Sequence, residues 1–320
     1  MSIKIALGVV LTAALAAVPA QAGAPWVRAV DLPNCGGDYF SPCEGASWRL
    51  YLSNGQKVKF PDAARYATEP DGSLSKDVED GPAPFVLSGD RRHLAYVRAC
   101  DGKVVVRPWP KGRATVLPAL GKASGTGYMR LNLSHDGRYL AVDYSLAEKK
   151  GHGPGLLIDA TTGRTVRTFP AGDEVIGFSA DGDEVLARRP QSDNTIHVVV
   201  LGANGSEVSD VPPQAVVSHN AQLALEGDGR TAVVVNTPPN GGYETVRRYD
   251  LASPGWVGPA QRISVRGGSR GLGWGSAGRL EFTHVSGDEA DSVVTTYSLD
   301  PATGRARKLD RYMIRFGVPR

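Results

Sequence analysis

Gly267-Gly268-Ser269-Arg270-Gly271 has the Gly-x-Ser-x-Gly spacing of a nucleophile elbow, where a sharp strand-to-helix turn lifts a serine hydroxyl clear of a sheet. That chemistry requires a helix after the turn, then an acid and a histidine further along the chain. Here Leu272-Gly273-Trp274 reads as a strand, and His284 precedes Asp288. The segment is therefore read as a glycine-rich connection. Six histidines are scattered at His93, His135, His152, His197, His219 and His284, and no Cys or His pair has metal-ligand spacing. Cys35 and Cys43 enclose a flexible loop that can close as a disulfide in an oxidising compartment, the alternative being two unpaired thiols. Cys100 follows a strand and is read as half-buried or unpaired.

Charged loops offer binding chemistry instead. Glu148-Lys149-Lys150-Gly151-His152 is basic, Gly287-Asp288-Glu289-Ala290-Asp291 is acidic, and Pro238-Pro239-Asn240-Gly241-Gly242-Tyr243 carries an aromatic. Lys149, Lys150, His152, Tyr243, Asp288, Glu289 and Asp291 form the candidate rim for a ligand or partner; the bland reading is that such charges keep loops solvated. The acidic loop lacks the ligand pattern of a calcium-binding hand. No residue is assigned as catalytic, metal-binding or cofactor-binding, and no cofactor is expected.

The elements that position these loops repeat. Ser134-His135-Asp136-Gly137 leads into Arg138 to Val142, and Ser179-Ala180-Asp181-Gly182 into Asp183 to Ala187. Ser88-Gly89-Asp90-Arg91, Gly227-Asp228-Gly229-Arg230 and Ser276-Ala277-Gly278-Arg279 precede similar strands. Taking Asp90, Asp136, Asp181, Asp228 and Ala277 as equivalent gives intervals of 46, 45, 47 and 49 residues. A period in the forties marks a repeat architecture. Each unit holds four short strands, a to d, with an Asp-Gly turn between a and b. Asp159 and Asp300 open Asp-x-x-Thr-Gly turns between c and d. Asp bonds the backbone across such turns and Gly supplies the conformation, so these acids are structural first.

Four antiparallel strands per repeat, with no helical period after residue 22, predict an all-β chain, a β-propeller of four-stranded blades. Five blades are expected at about 83–125, 126–171, 172–214, 215–265 and 266–310, with 25–60 and 311–320 sharing a blade that closes the ring. Six blades are expected, and the chain length also accommodates seven. In this frame the candidate rim lies on the b–c face. The a-strands facing the axis are mostly apolar, with Asn132, His219 and Asn220 as the polar exceptions.

Residues 1–22 read as a signal peptide: Lys4, then an apolar run from Ile5 to Val18, then Ala20-Gln21-Ala22, with cleavage after Ala22 and export from the cytoplasm expected. The apolar run is too short for a membrane span. Removing this leader with its one lysine leaves 35 basic against 33 acidic residues, which gives no electrostatic reason to expect nucleic acid or anionic lipid. A monomer with a protein or small-ligand partner is expected.

The turn sequences around Asp136 and Asp181 resemble the Ser-Pro-Asp-Gly-Lys-x-Ile-Ala repeat of TolB-like and WD40-like propellers, over about residues 83–310. The chain departs from that pattern in lacking the Pro, in placing an aromatic before the turn only at Phe178 and Trp274, and in having Ala277 for Asp. The resemblance implies a non-catalytic binding platform. It also leaves two alternatives: a lactonase- or lyase-like enzyme with a metal in the central channel, and a TolB-like accessory of the cell envelope.

Overall fold

The computed structural model describes residues 24–35, 42–69, 71, 73, 82–117, 120, 125–144, 153–218, 220–238, 242–266, 269–287 and 291–315. Its strands form six separate antiparallel sheets in chain order. Blade 1 is β1 (Val27–Asp31), β2 (Trp48–Leu52) and β3 (Lys57–Phe60). Blade 2 is β4 (Phe85–Leu87), β5 (His93–Val97), β6 (Val104–Pro108) and β7 (Thr115–Val116). Blade 3 is β8 (Arg130–Leu133), β9 (Tyr139–Asp143), β10 (Gly155–Asp159) and β11 (Arg164–Phe169). Blade 4 is β12 (Glu174–Phe178), β13 (Glu184–Pro190), β14 (Ile196–Gly202) and β15 (Glu207–Asp210). Blade 5 is β16 (Ala221–Leu225), β17 (Thr231–Asn236), β18 (Tyr243–Asp250) and β19 (Gly255–Arg266), preceded by a one-turn helix α1 (Gln214–Val217) that buries Val216 and Val217. Blade 6 is β20 (Ser269–Trp274), β21 (Leu280–Gly287), β22 (Asp291–Leu299) and β23 (Ala306–Arg315). The chain is a six-bladed β-propeller.

Burial follows position in the blade. β9 is buried at all five residues and β5 at four of five, because an inner strand is covered on both faces by the neighbouring blades. Outermost β11 is mostly exposed and β15 half so, with no buried residue, which is why Arg, Thr, Glu and Ser suffice there. Apolar clusters fill the interfaces between blades. Leu50, Leu94 and Tyr96 join blades 1 and 2; Val97, Leu140 and Ile158 join 2 and 3. Ala141, Leu157 and Val185 join 3 and 4; Leu186, Val200 and Val234 join 4 and 5; Val233, Ile263 and Phe282 join 5 and 6.

Among the described residues the ring does not close through a shared blade. The tail expected to complete blade 1 continues β23 instead, paired with β22 from Leu299↔Ala306 to Asp291↔Arg315. A hairpin neighbour closes a far shorter loop than a return to the first sheet, and β22 is long enough to pair the whole tail. Residues 25–60 thus form a three-stranded blade of their own, and 316–320 lie outside the described residues. Cys35 and Cys43 are disulfide-bonded beside this blade, Cα to Cα 4.9 Å, whereas Cys100 is free and exposed rather than half-buried. Among the described residues no helix is long and apolar enough to cross a membrane.

Candidate functional site

The a–b turns are hydrogen-bonded units that explain their own sequence. Ser134 Oγ accepts from Tyr139 N at 2.9 Å and donates to Asp136 Oδ1 at 2.7 Å, and Asp136 Oδ1 accepts from Arg138 N at 3.0 Å. Ser179 and Asp181 repeat the arrangement, with Glu184 N 3.0 Å from Ser179 Oγ. Ser88 and Asp90 repeat it again, with His93 N 2.9 Å and Arg92 N 2.9 Å from their respective oxygens. The Asp residues are thereby occupied in holding the turns. Gly137, Gly182, Gly229 and Gly278 take φ of 76°, 84°, 65° and 63°, the left-handed region that glycine enters without a steric cost. Blade 2 breaks the rule: Arg91 occupies the same place at φ 62°. A bulky side chain held in that region marks a site where another requirement outweighs local strain.

The Arg91 side chain reaches from blade 2 to blades 1 and 6. Its guanidinium donates to the Arg28 carbonyl of β1, and Nη2 lies 3.9 Å from Glu281 Oε2 of β21. Burial raises the Glu281 carboxyl above its usual range, and the nearby Arg91 and Arg279 guanidiniums only partly offset this. Gly275 permits the arrangement, since a Cβ there would stand 2.1 Å from the Glu281 carboxyl carbon.

Two cavities meet at Gly89, Arg91, Glu281 and Thr296. One, about 340 Å³, lies at the a–b turn end of the central channel and is walled by the strand ends Leu87, Leu133, Phe178, Leu225 and Trp274. Trp274 Nε1 donates to the Leu225 carbonyl at 2.6 Å, and His135 adds a polar edge. The other, about 300 Å³, opens along the seam between blades 6 and 1. Trp26 and Arg28 come from the start of the chain, Gly89 to Arg92 from the blade 2 turn, and Ser276, Arg279, Glu281, Thr296, Asp310 and Tyr312 from blade 6. Among the described residues no apolar cluster joins blade 6 to blade 1. Arg28 Nε instead lies 3.0 Å from Asp310 Oδ2 across the seam, and burial raises the Tyr312 hydroxyl.

Of the residues singled out from sequence, His135 edges the turn-end cavity. Lys149, Lys150, His152, Asp288, Glu289 and His219 fall outside the described residues. Asp291 opens β22, and Tyr243 opens β18, exposed, with the Arg262 guanidinium 3.1 Å above its ring. These b–c positions are at the opposite end of the blades from the turn-end cavity. His93 and His284 stand on b strands, and His197 Nδ1 pairs with Ser209 Oγ at 3.2 Å. Among the described residues no group of three His, Cys, Asp or Glu is placed to hold a metal. The a-strand ends in the cavity wall are apolar, and its charged members, Arg91 and Glu281, come from an a–b turn and a b strand. The sequence signal was available at Arg91, which stands where the aligned turns have glycine.

No protein-family profile matches the chain, and no curated protein matches it in sequence. Solved structures do. TolB from Acinetobacter baumannii is 14% identical with a TM-score of 0.49, over 92% of this chain and 64% of that one. The putative TolB from Agrobacterium tumefaciens is 14% identical with a TM-score of 0.47, over 92% and 93%. The β-propeller domain of the Trilobed protease from Pyrococcus furiosus, described as having an open velcro topology, is 13% identical with a TM-score of 0.46, over 92% and 86%. The present chain spans 64% of the length of the first of these, and all three likenesses are of fold. The chain is a six-bladed β-propeller, similar in architecture to the TolB propellers.

Proposed function

We propose that this chain is an exported, non-catalytic binding protein whose ligand docks where the turn end of the channel meets the seam. The observation that carries the reading is Arg91: a strained arginine at a glycine position, reaching a half-buried carboxylate between two cavities. A turn needed only for folding would keep glycine there, as four others do. Concave sites with apolar walls and a few converging polar groups are where small ligands and chain termini bind. The leader-like residues 1–22 support export.

Native mass spectrometry of protein recovered without chelators tests this. The expected result is a ligand retained at one per chain and lost in Arg91→Gly, with a mature chain starting at Gly23. Retention unchanged in Arg91→Gly would sink this choice of site. A retained metal would favour the channel enzyme that the sequence resemblance leaves open.

A further inference from the structure

We infer that the seam cavity recognises a single carboxylate carried on a small apolar or aromatic body. This deepens the binding reading above and rests on it. The lining sets four arginines, Arg28, Arg91, Arg92 and Arg279, against the carboxylates Asp90, Glu281 and Asp310, a formal excess of one positive charge. The acids are not equally open to a ligand's counter-charge. Asp90 is tied into its turn by Ser88 and Arg92 N, and Asp310 faces Arg28 at 3.0 Å. Arg91 Nη2 stops 3.9 Å short of Glu281, beyond hydrogen-bonding distance. Arg279 at the rim donates to Ser276 Oγ at 3.2 Å and keeps other donors for a guest. A planar guanidinium fork matches a carboxylate in two parallel bonds, and one net charge matches a monoanion better than a phosphate dianion.

The rest of the cavity defines the body of the ligand. Trp26 and Tyr312 supply aromatic walls, and about 300 Å³ suits a small organic acid or the last residue or two of a peptide. Among the described residues each of the other five blade interfaces holds an apolar cluster, and the ion pairs that cross one of them, such as Arg130–Glu174 and Arg138–Asp183 between blades 3 and 4, accompany that cluster rather than replace it.

Isothermal titration calorimetry on the full mature chain decides the matter. The probes are 4-phenylbutyrate, its uncharged amide, inorganic phosphate, and one short peptide with either a free or an amidated C-terminus. The expected result is that the free acids bind and the amides and phosphate do not. Arg279→Gln, an exposed change that leaves the chain folded, weakens the acids at least tenfold. Tighter binding of the free-acid peptide than of phenylbutyrate identifies a chain terminus as the source; the reverse order identifies a free acid. Equal binding of acid and amide, preference for phosphate, no binding of any acid, or indifference to Arg279→Gln each overturns the inference. If the acids fail while a mass retained by the native protein is lost in Arg91→Gly, the binding reading survives and only the ligand class is wrong.

Discussion

Five blade interfaces and the sixth are built from different materials. Between blades 2 and 3, Leu140, Val142 and Ile158 are wholly buried among Val97, Val104 and Leu117. Between blades 6 and 1 the contact runs through Arg28, Asp310, Arg91 and Glu281 around a cavity. Hydrocarbon burial contributes roughly 25 cal/mol per Å² without directional demands, so dry interfaces serve simply to hold the ring. Partly exposed ion pairs contribute ~1 kcal/mol or less, so the sixth interface is a poor choice for stability alone. Among the described residues the propeller concentrates its apolar burial at five interfaces, and a cavity stands at the sixth.

The largest difference is expected on truncating one dry contact. Leu140→Ala should lower stability by about 2–5 kcal/mol, the transfer loss plus the cavity left behind. Arg28→Gln, which removes the cross-seam ion pair with Asp310 while both side chains retain some exposure, should cost about 1 kcal/mol or less. Urea denaturation of both variants gives the comparison directly. Similar losses would mean that the seam carries as much of the ring as the apolar interfaces do, and the contrast would fail.

The dry interfaces were legible in the sequence and the seam was not. Leu140-Ala141-Val142 beside an Asp-Gly turn announces a buried inner strand, and recurrence of that pattern announces stacked blades. The turn acids were readable because each bonds its own local backbone. Glu281, by contrast, is one acid on a strand, and only the ring brings it to Arg91. Arg28 and Asp310 belong to opposite ends of the chain, so no spacing rule links them. The tail misled for a related reason: the sequence marks Tyr312 to Phe316 as strand, but pairing with β22 or with blade 1 is a matter of loop closure. Arg91 stood between these cases. Its residue type contradicted a local rule, and such violations tend to fall at functional sites.

A smaller effect, with a defined sign, is expected from pH. Burial raises the folded-state pKa of Glu281 above its unfolded value of about 4.3. The folded chain therefore binds this proton more tightly, so an ionised Glu281 costs stability above the folded pKa, and that cost disappears below the unfolded one. Glu281→Gln should accordingly be more stable than the parent near neutrality, with the difference shrinking as pH falls towards 4. Asp228, in the blade 5 turn, acts in the opposite sense. Burial pushes Asp228 up, but hydrogen bonds from Thr231 and the turn backbone more than offset it and hold it below its usual range. Its stabilisation is present above the unfolded pKa and is lost as pH falls through the folded one, alike in parent and variant. The difference between the two melting profiles therefore isolates Glu281. A variant less stable than the parent at neutral pH would mean that Arg91 and Arg279 outweigh burial.

The smallest expected change in stability is at Arg91. Arg91→Gly relieves a left-handed residue, worth roughly 1–2 kcal/mol for a side chain with a Cβ. It also removes a guanidinium bond to the Arg28 carbonyl and the looser contact with Glu281, which together contribute on the order of 1 kcal/mol for a side chain that keeps some exposure. A more flexible unfolded chain takes back about another 0.5–1 kcal/mol. These contributions oppose one another, so the melting midpoint should move by no more than about 1 kcal/mol equivalent while the ligand is lost. A clear destabilisation would mean that Arg91 is a fastener for the seam, and the sixth interface would then differ from the other five only in the chemistry of its closure. An unchanged midpoint with lost binding would mean that the arginine is kept against the preference of its own turn, for what it holds in the cavity.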